Sequence, residues 1–174
     1  MGRFFEVIPL ATFLIIMRNS NPSSENYWLL TYGISALAAI GCISFNVFTH
    51  GFQNKIFLGI NCYLISGAVG IVTNQAWLMN LYSSMQSAAM LMWIMGIGIF
   101  ALLFSSWFPV QLRQSARVRL YESFMTLLTI GAFGLAYSYP ESKLLSETVP
   151  FLALLIIYYM LTFRLESKQA IRPA

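Results

Sequence analysis

The sequence predicts an all-α, polytopic transmembrane bundle: one helical domain over residues 1–174 that crosses a bilayer six times. Three observations predict it. Hydrophobic residues make up 58% of the chain and charged residues 9%, whereas soluble domains carry about 25% charge, so a soluble form would lack a polar coat. The apolar residues are gathered into six runs. The ten Lys and Arg residues stand between those runs, where they read as topology signals. The net charge of +4 is therefore not read as nucleic-acid binding, which needs basic side chains gathered on one exposed face.

A spanning helix covers about 30 Å of hydrocarbon with roughly 20 residues, because lipid offers no partners to unpaired backbone groups. The first run, residues 4–17, is short, with Arg3 and Arg18 as its bounds and Glu6 and Pro9 in its opening turns. It either spans with local thinning and snorkelling flanks or lies partly in the interface. Residues 28–48, 56–73, 88–108 and 121–139 are each long enough to span and have no charge in the middle. The sixth run, 149–163, is shorter and equally free of charge.

The connections hold the expected breakers: Asn19, Asn21 and Pro22, then 51–54, Pro109 and Pro140. The longest is 74–87, and Trp77, Leu78, Met79, Leu81 and Tyr82 make it apolar enough to form a helix lying at the interface. No cleavage site of A-x-A type follows the first run, so the N-terminus is expected to be retained.

Assigning alternate connections to opposite faces puts Arg3, Lys55, Arg113, Arg117, Arg119, Arg164, Lys168 and Arg172 on one side, and Arg18 and Lys143 on the other. The positive-inside rule then places both termini in the cytoplasm if there are six spans. An interfacial first run moves Arg3 outside and leaves the C-terminus where it was. Tyr27, Trp28, Trp77, Tyr82, Trp107, Phe108, Tyr137 and Tyr139 fall near run ends, as interfacial anchors do. Trp93 lies well inside the fourth run, where its indole N–H needs a partner or a wet groove.

Ionisable groups within a span usually mark function, because holding them there is costly. The chain has no Asp, and its six Glu residues lie at run ends or in connections. Glu6, three residues before Pro9, is the candidate for a proton or cation role; the plainer reading is a headgroup-level carboxylate near Arg3. Glu122 reads as a helix-terminal charge. His50 is the single histidine, too few for a bis-His haem or a clustered zinc site. Cys42 and Cys62 form no CxxC pair and read as small packing residues. Met85, Met90, Met92 and Met95 do not share one helix face, so lipid contact and packing are preferred to a copper site. No metal or cofactor is expected.

Asn46 and Asn61 are the neutral polar candidates. If the second and third runs form a hairpin, the two amides approach each other, as interhelical glue or as part of a substrate site. Ser35 with Ala39, Ser66 with Gly70, and Ala132 with Ala136 are each four apart and allow close helix packing. Arg113, Arg117 and Arg119 form a cytoplasmic basic stretch that sets topology and can meet anionic headgroups or an acidic partner.

The opening Arg3-Phe4-Phe5-Glu6-Val7-Ile8-Pro9-Leu10, with Phe13 and Arg18, resembles the short first segment of the small inner-membrane proteins called intracellular septation protein A. Residues 65–105, with Gly67, Asn74 and Trp77 before the fourth run, are similar to that family in layout. The chain departs from it at Trp77-Leu78-Met79, where the family has Trp-Lys-x-Thr, and at 146–150, where it has Asn-Phe-Lys. The resemblance implies a bacterial envelope protein linked to division and membrane organisation, without catalytic residues to carry over.

The expectation is thus a non-enzymatic, multi-pass inner-membrane protein that organises an envelope or membrane complex, with lipids, a membrane-protein partner or a second copy as its company. The alternative is a small-solute or ion transporter or channel, lined by Asn46, Asn61, Tyr63 and Trp93. An intramembrane enzyme acting on lipid ranks last and would need His50 to converge with Glu6 or Glu122.

Overall fold

A computed structural model describes residues 2–19, 26–49, 54–85, 87–103, 116–142, 145–146 and 149–170. Among these the secondary structure is helical, with no strand. A 3-10 segment, Gly2–Val7, leads into α1 (Ile8–Asn19). There follow α2 (Tyr27–Phe48), α3 (Lys55–Val72), α4 (Ala76–Met85), α5 (Ser87–Leu103), α6 (Ala116–Ser138) and α7 (Val149–Ala170). Pro9 and Pro150 each stand second in their helix, where the missing N–H would have had no intrahelical acceptor.

Among the described residues two helices, α2 and α3, are long and apolar enough to cross a membrane, and α4 with α5 makes a third if the bent pair is one span. These two coincide with the runs expected at 28–48 and 56–73. The run expected at 88–108 is helical as α5 to Leu103, and 104–108 lies outside the described residues. The fifth and sixth runs are helical within longer elements: α6 begins before its run and α7 continues past it, and their apolar stretches are the shorter Ser123–Ser138 and Val149–Met160. The connection 74–87 does contain a helix, α4, which meets α5 at 104°.

The α2 helix is inverted relative to a helix of a soluble protein. Its buried residues are Tyr27, Thr31, Tyr32, Ser35, Ala36, Ala39, Cys42 and Asn46, and its exposed ones include Leu29, Leu30, Ile34, Leu37, Ile40, Phe45, Val47 and Phe48. Soluble helices bury the large aliphatics. Small and polar residues inside with large aliphatics outside is the arrangement of a helix in lipid, where close packing and interhelical hydrogen bonds hold the bundle. Hydroxyls that lipid would leave unpaired turn back on their own helix: Thr31 donates to the Tyr27 carbonyl at 2.8 Å and Thr73 to that of Val69 at 2.7 Å.

The α3 helix is closed at both ends by side-chain and turn chemistry. At its start Asn54, in extended backbone, accepts the Ile56 N–H on Oδ1 at 2.9 Å, an N-cap that contributes about 1 kcal/mol. At its end the Gln75 N–H reaches the Gly70 carbonyl at 2.9 Å and the Asn74 N–H that of Ile71 at 3.2 Å. This is a Schellman closure, with Asn74 at φ 51° in the left-handed region. Asparagine tolerates that conformation better than most residues.

By compactness the chain divides into Met1–Ile97 and Gly98–Ala174. In the first unit, α1, α2 and α3 pack together and α4 folds onto α3. The Tyr27 hydroxyl ties α2 to α1 by donating to the Met17 carbonyl at 3.0 Å, one of the helix-end carbonyls that lack an intrahelical partner. The α3 helix comes close to α5 at Gly59, where an added Cβ would stand 2.6 Å from the Ile94 Cα. In the second unit α6 and α7 pack against each other, and Gly98 faces Thr126. Of the small-residue pairs singled out above, Ser35 and Ala39 are both fully buried; Ala136 is buried and Ala132 partly so.

Candidate functional site

The buried polar side chains of the first unit form two groups along the α2–α3 hairpin. Thr31, Ser35, Ala39, Cys42 and Asn46 follow one another at intervals of four, four, three and four, which stacks them in a single line. That line runs for about 22 Å at 1.5 Å per residue, most of a bilayer core.

The first group gathers around Cys42. Its thiol donates to the Phe5 carbonyl at 3.5 Å and accepts from Asn46 Nδ2 at 3.9 Å. The Glu6 carboxylate and the Asn61 amide both act on the thiol electrostatically. The Asn61 amide lies beside the sulfur without the alignment of a hydrogen bond, and neither its nitrogen nor its oxygen has a hydrogen-bond partner. Asn61 is 1% exposed. One helix turn above Ala39, the Ser35 hydroxyl is also buried without a partner.

Glu6 is held against the start of α3. The carboxylate is 6% exposed, and its Oε1 accepts the Asn54 backbone N–H at 3.1 Å. The cause is local: the 3-10 segment brings residue 6 to the start of α3, where free N–H groups and the positive end of the helix dipole favour a carboxylate.

The second group is a chain of hydroxyls across four helices. Tyr32 of α2 and Tyr63 of α3 share a hydrogen bond between their hydroxyls. The Tyr63 ring stacks at a tilt on Tyr82 of α4, centroids 5.0 Å apart. The Tyr82 hydroxyl pairs with Ser66 Oγ at 2.5 Å and accepts from Trp93 Nε1 of α5 at 2.6 Å. Gly67 gives the Tyr32 ring its seat: a Cβ there would overlap the ring carbons.

Of the sequence candidates, Asn46 bonds the Cys42 thiol and Glu6 and Asn61 act on it electrostatically, while Trp93 and Tyr63 belong to the hydroxyl chain. Arg117 and Arg119 stand in the opening turn of α6 and Glu122 in its second turn. Arg113 and His50 lie outside the described residues. Tyr82 and Tyr27, expected as interfacial anchors, are buried instead, because α4 folds back on α3 and α1 covers α2. Trp28, Trp77, Tyr137 and Tyr139 are exposed.

Sequence reasoning missed Tyr32, Asn54 and Gly59. Asn54 had a readable signal, an Asn directly before an apolar run. No group of three or more His, Cys, Asp or Glu positioned for a metal occurs among the described residues. No family model, curated protein or solved structure matches the chain.

Proposed function

We propose that the chain is a small, multi-pass bacterial inner-membrane protein with a cytoplasmic C-terminus and a non-enzymatic role in organising the envelope or a membrane complex. The observation that carries this reading is how the polar side chains of the first unit are used. The hydroxyl chain from Tyr32 through Tyr63, Ser66 and Tyr82 to Trp93 joins α2, α3, α4 and α5. Most of its polar groups lock helices to one another, which suits a rigid framework on which partners assemble.

Element lengths support a reading with six spans. At about 2.0 Å per residue in a 3-10 helix and 1.5 Å in an α-helix, the opening segment with α1 reaches about 30 Å end to end. The α2 helix measures about 33 Å and α3 about 27 Å, and the apolar stretches Ser123–Ser138 of α6 and Val149–Met160 of α7 measure about 24 and 18 Å. The fourth span is α5, about 25 Å, within the range that local thinning accommodates, with α4 lying across its end. The eight-to-two division of basic residues orients the bundle, and the resemblance to the septation family supports the envelope setting.

The test is proximity labelling from the C-terminus in living bacteria, combined with deletion of the gene. Labelling enriched in division or envelope proteins, with altered cell length or septum placement on deletion, supports the role. Labelling no different from that of an unrelated inner-membrane protein, with normal morphology, refutes it. A second reading, handling of a small polar solute, is favoured by one observation, the unpartnered Asn61 amide and Ser35 hydroxyl on the α2–α3 seam.

A further inference from the structure

The Asn61 amide has a donor and an acceptor, both buried and both without a partner. Lipid surroundings make such a group costly, and proteins retain one when something fills its hydrogen bonds. What fills it is constrained by chemistry. A cation would satisfy the amide oxygen and repel the NH2 hydrogens; an anion would do the reverse. A neutral group that both donates and accepts satisfies both.

The neighbours extend the same specification. The Cys42 sulfur, beside the amide, already has a hydrogen-bonded position from the Phe5 carbonyl and the Asn46 amide. Ser35, two turns from Cys42 on the same line, carries a second unpartnered polar atom, so the unfilled hydrogen-bonding capacity continues along the seam.

We propose that Asn61, with Cys42 and Asn46, forms a binding site for a small neutral molecule that both donates and accepts hydrogen bonds. Water and a small hydroxyl or amide solute share that chemistry. The proposal does not rest on the organising role, and the test below leaves that role untouched.

Cys42 is a reporter built into the site. The experiment uses the full chain in lipid nanodiscs with Cys62→Ala, so that Cys42 is the remaining thiol, transferred into D2O. Infrared spectroscopy follows replacement of its S–H stretching band by the S–D band, and amide exchange is read in parallel. The site predicts that the thiol exchanges while the backbone amides of α2 and α3 stay protected, and that Asn61→Leu slows the thiol exchange.

Native mass spectrometry of the same sample separates the two sources. A discrete retained mass identifies a solute, and exchange without added mass identifies water. Either result supports the site. A thiol that keeps its proton as long as the protected amides overturns it, as does exchange that is unchanged in Asn61→Leu.

Melting temperature gives an independent sign. Leucine removes two unsatisfied groups from an empty site and raises the melting temperature; at an occupied site it removes satisfied bonds and lowers it. A higher-melting Asn61→Leu therefore contradicts the proposal. The exchange measurement on the chain with Asn61 intact still decides the matter if the leucine variant fails to fold.

Discussion

Substituting Gly59 with alanine tests the close approach of α3 to α5 in the first unit. The added Cβ would stand 2.6 Å from Ile94 Cα and 2.9 Å from both Ile94 N and Ile94 Cγ1. Carbon atoms pack comfortably at about 3.5 Å or more, so α3 and α5 must separate by about 0.9 Å, the difference between 3.5 and 2.6 Å. Two of the three opposing atoms are backbone, and no rotamer change relieves the overlap. Overpacking of this kind costs about 1–3 kcal/mol, and alanine's better helix propensity returns up to about 1 kcal/mol.

The net expectation for Gly59→Ala is a loss of about 1–2 kcal/mol. The control is Gly41→Ala, in the middle of α2, where an added Cβ meets nothing within 4 Å; it is expected to be neutral or slightly stabilising. Reversible unfolding in mixed micelles, or steric trapping in bicelles, measures both. Gly59→Ala as stable as Gly41→Ala would refute the packing of α3 against α5 described above.

Three further outcomes follow from the hydrogen bonds and caps. Tyr82→Phe removes the hydroxyl shared by Ser66 and Trp93, leaving a part-buried indole N–H unpaired; a loss of about 1–3 kcal/mol is expected in the same unfolding assay, and a neutral result would break the hydroxyl chain. Asn54→Ala deletes the α3 N-cap and is expected to cost about 0.5–2 kcal/mol, with hydrogen exchange rising first in the opening turn of α3. Asn74→Gly relieves the left-handed backbone and should be neutral or stabilising, whereas Asn74→Ala at the same φ of 51° should cost about 1 kcal/mol; the reverse order would argue against the Schellman closure.

The helical class was legible because a run without charge and of spanning length has few alternatives in structure. Residues 28–48 and 56–73 became α2 and α3 almost to the residue. The hairpin argument for Asn46 and Asn61 used the short connection between those runs, and the structure sets both amides beside Cys42. The contact of Glu6 with Asn54 had no readable signal, because it depends on where the 3-10 segment meets the start of α3, a tertiary fact that no local pattern encodes. Tyr27 and Tyr82 were misread for a related reason: a tyrosine near a run end looks the same in sequence whether it faces headgroups or a neighbouring helix. Gly59 had no signal of its own, since nothing in its flanks distinguishes it from Gly41, whose surroundings are open.

The inverted α2 helix supports a membrane setting, and the division of basic residues supports the proposed topology of six spans with both termini in the cytoplasm. The most direct measurement fuses alkaline phosphatase and green fluorescent protein in parallel after residues 22, 52, 80, 113, 143 and 174. Six spans with both termini inside predict fluorescence without phosphatase activity at 52, 113 and 174, and phosphatase activity without fluorescence at 22, 80 and 143. Phosphatase activity at 174, or fluorescence at 80, would contradict it.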